Sequence, residues 1–204
     1  MTIGRETFKM PDPFLVLATQ NPIETEGTYP LPEAQVDRFM LKVLVGYPTE
    51  REEFVIVERM TNRLQSVQKV LTTQQLTSLQ GQVDQVYVDP AIIEYSVRMV
   101  TATRKPKEYG VPDIARFITY GASPRASINL IVTGKALAFV RGRDYVLPQD
   151  VLDMALDVMR HRLVLSYEAL AENVTADMLL KKILDRVPIP VVPLREHVDI
   201  RVNA

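Results

Sequence analysis

The chain has 204 residues, 47% of them apolar and 24% charged, with 24 Lys plus Arg against 25 Asp plus Glu and a formal net charge of -1. That balance excludes a disordered tail, a collagen-like fibre, a coiled-coil rod and a protein-wide basic field for nucleic acid. The absence of cysteine excludes disulfide scaffolds, thiolate zinc sites and cysteine nucleophiles. With no disulfides to place it outside, the cytoplasm is the expected compartment. No apolar run approaches the ~20 residues of a membrane helix.

In chain order, residues 14–19 (Phe-Leu-Val-Leu-Ala-Thr) are apolar nearly throughout, as in a strand covered on both faces, and Asn21-Pro22 ends the run. A second such run, residues 39–45, is closed by Gly46, Tyr47 and Pro48. Two buried strands do not make a stable sheet alone. The first 47 residues are therefore expected to be part of a larger α/β layer that needs a neighbour. Helix punctuation follows. Thr49 precedes an acidic turn (Glu50, Glu52, Glu53), and Thr73 precedes Leu76 and Leu79. Asp89-Pro90 and Ser123-Pro124 pair a capping residue with proline at the first helical position. The first of these predicts a buried stripe of Ile92, Ile93, Val97 and Val100; in the second, Leu130 and Leu137, and Ile131 and Ala138, fall at heptad spacing before a stop at Gly142. Pro148 opens a helix with Leu152, Leu156, Met159 and Leu163 on one face, and Thr175 precedes Met178, Leu179, Ile183 and Leu184. Pro188, Pro190 and Pro193 predict an extended tail.

Charge is uneven: residues 1–100 hold 9 basic and 13 acidic side chains, residues 101–165 hold 10 and 6. The positive zone suits an anionic ligand, or is a solvated mixed surface. No two glycines are closer than Gly134 and Gly142, so neither G-x-x-x-x-G-K-[ST] nor G-x-G-x-x-G occurs in these residues. No Asp-Glu pair follows an apolar strand, and His161 and His197 are too few and too far apart for a metal cluster.

Asn21, Arg38 and Arg125 are among the side chains whose chemistry can address a phosphate. Asn21 ends an apolar run, where ligands of open α/β sheets bind, and its amide can hydrogen-bond a phosphate oxygen and a water; Asn-Pro is also a common turn. Arg38 follows an acidic, proline-rich connection; it can bridge phosphate oxygens, or pair with Asp37, Glu33 or Asp12. Arg125 falls in the first turn of a helix, where a cation is unfavourable unless an anion is close; the alternative is an arginine lying over the helix surface.

The segment from Ala18 through Asn21-Pro22-Ile23-Glu24-Thr25-Glu26-Gly27-Thr28-Tyr29-Pro30-Leu31-Pro32-Glu33-Ala34-Gln35-Val36-Asp37-Arg38-Phe39 closely resembles the MoxR family of AAA+ ATPases. Gly121-Ala122-Ser123-Pro124-Arg125-Ala126, Arg141-Gly142-Arg143-Asp144-Tyr145 and Arg160-His161-Arg162-Leu163 resemble that family's helical lid. The resemblance implies a partial α/β AAA+ core with two strands, followed by an all-α lid of five to six helices. It implies a division into core (residues 1–47), lid (48–190) and extended tail (191–204). It names Asn21 as sensor 1, Arg125 as the sensor-2 arginine on the γ-phosphate, and Arg38 as an arginine finger acting on the neighbouring subunit of a ring. ATP and Mg2+ are the implied cofactors of the complete protein. The implied partners are other ring subunits and proteins with von Willebrand factor A domains; neither membrane nor nucleic acid is expected. The family's phosphate-binding loop and magnesium-binding acidic pair lie upstream of the segment matched here, so these residues are expected not to hydrolyse ATP alone. The rival expectation is a non-catalytic helical interaction module in which the arginines are structural.

Overall fold

The computed structural model describes residues 2–4, 6–20, 31–62 and 66–191. In chain order the elements are β1 (Thr2–Ile3), β2 (Glu6–Thr7), α1 (Glu33–Val36), α2 (Glu50–Thr61), α3 (Thr73–Asp84), α4 (Pro90–Arg104), β3 (Ile118–Tyr120), α5 (Pro124–Val140), α6 (Pro148–Met159), β4 (Val164–Leu165), α7 (Tyr167–Ala171) and α8 (Ala176–Leu184). Short 3-10 turns, Pro112–Phe117 and Arg160–Arg162, precede β3 and follow α6. The architecture is predominantly helical with minor strand pairing, as the sequence implies.

The chain divides into two units, residues 1–30 with 43–84, and residues 31–42 with 85–204. In the first, β1 and β2 pair antiparallel, Thr2 opposite Thr7 and Ile3 opposite Glu6, around Gly4 at φ +62°. The start of α2 is fixed by a capping box: the Thr49 N–H donates to Glu52 Oε2 at 2.8 Å, and the Glu52 N–H donates to Thr49 Oγ1 at 3.4 Å. The same device opens α3, but on Thr72 rather than Thr73, with the Thr72 N–H donating to Gln75 Oε1 at 2.8 Å. Neither helix buries a residue.

The apolar core lies in the second unit. Ile92, Tyr95, Met99 and Val100 of α4 pack with Ala126, Leu130 and Ala138 of α5, Val151, Ala155 and Val158 of α6, and Leu179, Leu180 and Ile183 of α8. The buried stripe of α4 includes Tyr95, Ser96 and Met99, whereas Ile93 and Val97 face outward. Propensity for burial does not fix helix phase; packing of α4 against α5, α6 and α8 does. β3 and β4 pair antiparallel across an irregularity, and Tyr87 makes a parallel bridge to Tyr145.

The two apolar runs predicted as strands, residues 14–19 and 39–45, pair with no strand among the described residues. Leu15, Leu17 and Val45 are exposed. A strand needs a ladder partner for its peptide groups. In residues 37–42 the carbonyls of Asp37, Phe39, Met40 and Lys42 accept instead from arginine side chains, and the N–H groups of Arg38, Phe39 and Lys42 donate to backbone carbonyls outside any strand.

Candidate functional site

Two helix starts build the site, both within the second unit. Pro32 leads into the single turn of α1, and the chain continues through two further turns, Arg38 N–H to Gln35 O at 3.1 Å and Phe39 N–H to Val36 O at 3.1 Å. Asp37 and Arg38 therefore sit at a corner, Asp37 partly buried and Arg38 exposed. At the other start, Pro124 opens α5 and Arg125 is its second residue. Ser123 precedes α5 but does not cap it. Its hydroxyl donates to both oxygens of Asp37, at 3.0 and 3.1 Å.

Asp37 is the hub. Arg125 Nη1 donates to its Oδ2 at 3.0 Å, and Arg162 Nε donates to its Oδ1 at 3.2 Å. The two guanidiniums differ sharply in setting: the Arg125 side chain is 52% exposed and that of Arg162 0%. So a carboxylate lies on Arg125 at the start of α5, the arrangement a helix N-terminus favours. Arg38 is exposed, and among the described residues no carboxylate or carbonyl accepts from its guanidinium. Its chain neighbour Asp37 is committed to Ser123, Arg125 and Arg162. The ion pair considered for Arg38 with Asp37 is thus not made. Asn21 lies outside the described residues.

Sequence reasoning did not find the clamp behind this corner. Arg162 donates to the carbonyls of Asp37 (3.1 Å), Phe39 (2.6 Å), Met40 (3.2 Å) and Val158. Burial pulls its pKa down while the Asp37 charge pulls it up, and the guanidinium remains a cation. His161 Nε2 lies 3.0 Å from Phe39 O, so the proton sits on Nε2, and Nδ1 is buried with no partner. Burial, the Arg162 charge and the Lys42 charge lower the His161 pKa, against the bond to Phe39. Arg160 donates to Lys42 O at 2.5 Å, to Asp177 at 3.0 and 3.2 Å, and to Asp157. The Lys42 N–H donates to Asp157 O at 2.8 Å. One signal was available: Arg162 falls four residues after buried Val158 and seven after buried Ala155, a cation on an apolar face.

Gly121 positions the start of α5. A Cβ there would lie 2.6 Å from the Thr103 carbonyl carbon and oxygen, and the Ala122 N–H donates to Thr103 Oγ1 at 2.9 Å. Only glycine lets this segment press on the end of α4. At the far end of α5, Gly142 (φ +74°) makes the C-terminal turn, with Arg143 N–H donating to Ala138 O at 2.9 Å. Wholly buried Asp150 then accepts from Arg143 (2.7 and 2.5 Å), Arg141 (2.8 Å) and the Leu147 N–H (2.8 Å). Burial pushes its carboxyl up, yet those donors together hold it below the ordinary carboxylate value.

Among the described residues no group of acidic, histidine or cysteine side chains could hold a metal ion, and no helix is long and apolar enough to cross a membrane.

The second unit is a bundle of helices with an arginine at the start of α5 and an exposed arginine at residue 38. Comparisons with known proteins give the class. Residues 1–41 match the ATPase family associated with various cellular activities (AAA), and residues 113–183 match the AAA lid domain. The chain is 49% identical over 200 residues to Chaperone MoxR1 of Mycobacterium tuberculosis, covering 97% of this chain and 53% of that protein. It is 32% identical over 189 residues to Protein MoxR of Paracoccus denitrificans, covering 86% of this chain and 56% of that protein. A crystal structure from Cytophaga hutchinsonii, named a "putative ATPase", superposes with a TM-score of 0.88 at 44% identity, covering 94% of this chain and 58% of that one. The chain belongs to the MoxR family of AAA+ ATPases, and it spans a little over half the length of the curated relatives it matches.

Proposed function

We propose that this chain is the nucleotide-sensing and lid portion of a MoxR-type ATPase, whose ATP binding and hydrolysis drive chaperone-like remodelling of partner proteins. The observation that supports it best is the disposition of the two arginines. Arg38 is exposed with no acceptor among the described residues, and the one carboxylate beside it is held by Ser123, Arg125 and Arg162. A half-exposed guanidinium that already carries an anion, next to a free one, suits a triphosphate. In this reading Asn21 and Arg125 contact the γ-phosphate of ATP, and Arg38 reaches the nucleotide of the adjacent subunit in a ring. Mg2+ in the complete ATPase would be held by residues other than the described ones. By role, residues 1–47 are the end of the ATPase core, 48–190 the lid and 191–204 a tail; by packing, residues 31–42 group with 85–204, and residues 43–84 with 1–30. Partners with von Willebrand factor A domains and a cytoplasmic location belong to the same proposal. The chain alone does not turn over ATP, because its residues include no G-x-x-x-x-G-K-[ST] loop.

The test is complementation. The phosphate-binding half is supplied upstream or in trans and ATP hydrolysis is measured. Arginine fingers contribute about 10³–10⁵ in rate, so Arg38→Ala should abolish most of the recovered turnover, and Arg125→Ala should weaken nucleotide binding. Robust Mg2+-dependent turnover by the 204 residues alone, or indifference to both substitutions, refutes the proposal. The second outcome would favour a non-catalytic interaction module, a reading supported by exposed Phe54, Val57 and Met60 on α2.

A further inference from the structure

We propose that Arg162 is a positioning residue for Arg38: its buried guanidinium fixes the peptide groups on either side of Arg38 and so sets where that side chain can reach. The inference rests on the reading of Arg38 as an arginine finger.

A finger contributes only if its guanidinium arrives at the transferring phosphate in a defined pose, and misplacement by about 1 Å can cost 10²-fold in rate. A flexible arginine on an unpaired coil would lose that advantage. Residues 37–42 leave α1 as turns and coil, with no strand or longer helix to order them. Arg162 supplies the order. Arg162 Nη2 donates to both Asp37 O and Phe39 O, the carbonyls of the residues before and after Arg38. Its Nη1 takes Met40 O and Val158 O, and its Nε takes the Asp37 carboxylate. Five N–H donors therefore meet five acceptors, all that a guanidinium has. Four of the five acceptors belong to residues 37–40, and the fifth anchors the group to the end of α6. The Arg38 N–H itself donates to Gln35 O, so the backbone is held from the α1 side too. His161 reinforces the grip at Phe39 O. The Arg38 side chain itself is exposed and has no acceptor among the described residues.

A lysine at 162 keeps the charge but has a compact ammonium with three donors, which cannot span the two carbonyls flanking Arg38. Arg162→Lys is therefore the discriminating substitution. In the ATPase assembled from this chain and the phosphate-binding half, it should lower kcat at least 10-fold with KM changed less than twofold. In an Arg38→Ala background, with residual turnover followed by labelled ATP, adding Arg162→Lys should cause no further loss. In the isolated chain, amide hydrogen exchange should speed up at residues 37–42 while α4, α5 and α8 keep their protection. If Arg162→Lys does not fold, His161→Ala decides the matter in the same way. It removes one donor from Phe39 O and should lower kcat two- to fivefold, with no effect in the Arg38→Ala background. An unchanged kcat, or an equal loss with and without Arg38, overturns the inference while leaving the finger intact. Indifference to Arg38→Ala alone would instead overturn the finger reading.

Discussion

Two arginines share the carboxylate of Asp37, and removing them should cost very different amounts. Arg125 contributes one bond at 3.0 Å from a side chain 52% exposed to solvent. Such a pair is screened and is worth less than about 1 kcal/mol. Arg162→Ala removes a fully buried guanidinium, leaves the carbonyls of Asp37, Phe39, Met40 and Val158 without this donor, and opens space beside α6. Breaking one side of a buried charged network costs about 3–5 kcal/mol. At roughly 2–4 °C per kcal/mol for a chain of this size, the Tm should fall by about 6–20 °C for Arg162→Ala and by no more than about 4 °C for Arg125→Ala. Urea denaturation followed by circular dichroism gives both free energies directly, provided the slope is unchanged between variants. If Arg125→Ala proves as costly as Arg162→Ala, Arg125 is an anchor of the lid and its reading as a phosphate-contacting residue fails.

The staple at the far end of α5 should be nearly as sensitive: Asp150→Ala uncaps α6 and strands the Arg143 guanidinium, costing about 2–4 kcal/mol in the same denaturation assay. Gly121→Ala forces a Cβ against the Thr103 backbone and should cost about 1–3 kcal/mol, with the Arg125 end of α5 displaced in a crystal structure of the variant. Partial burial, with the Arg162 and Lys42 charges, holds the folded pKa of His161 below the unfolded value near 6.5. The unfolded chain takes up the proton first. The stability that His161 contributes is present above about pH 6.5 and is lost as pH falls from there through the folded pKa. Urea titrations at pH 7.5 and 5.5 should show a larger acid loss for the native chain than for His161→Gln, and equal losses would refute the assignment.

Local signals were legible wherever a side chain acts on its own backbone. Thr49, Asp89 and Thr175 cap the helices they were expected to open, and Gly142 ends α5. Ser123 marks a helix start correctly but for another reason: its hydroxyl serves Asp37, 86 residues earlier in the chain. That partner depends on tertiary placement, which no local pattern encodes. The same holds for residues 39–45. Their apolar character reads as a buried strand, but guanidinium donors occupy the carbonyls of Phe39, Met40 and Lys42 where a ladder would be. Arg38 and Arg125 stand out in the sequence by chemistry and by resemblance. The acid between them was visible only as a neighbour of Arg38, and its actual partners come from α5 and the turn after α6.

The sharing of Asp37 also decides which arginine is free to change partners. Were Asp37 paired with Arg125 alone, transfer of Arg125 to a phosphate would leave a partly buried carboxylate uncompensated, at a cost comparable to the bond gained. Instead Asp37 keeps the Ser123 hydroxyl and Arg162 Nε when Arg125 departs. Arg162 has no such freedom, since its departure would strip a donor from the carbonyls of Asp37, Phe39, Met40 and Val158 as well as from the carboxylate. The detachable cation is therefore the solvent-facing one at the start of α5, and the immobile one lies behind the corner that carries Arg38. A phosphate arriving at α5 can take Arg125 without loosening the clamp. A double-mutant cycle between Asp37→Asn and Arg125→Ala should accordingly give a stability coupling below about 1 kcal/mol, and Asp37→Asn with Arg162→Ala one of about 2 kcal/mol or more. The reverse order would place the exchangeable contact at Arg162 and contradict the assignment of roles to the two arginines.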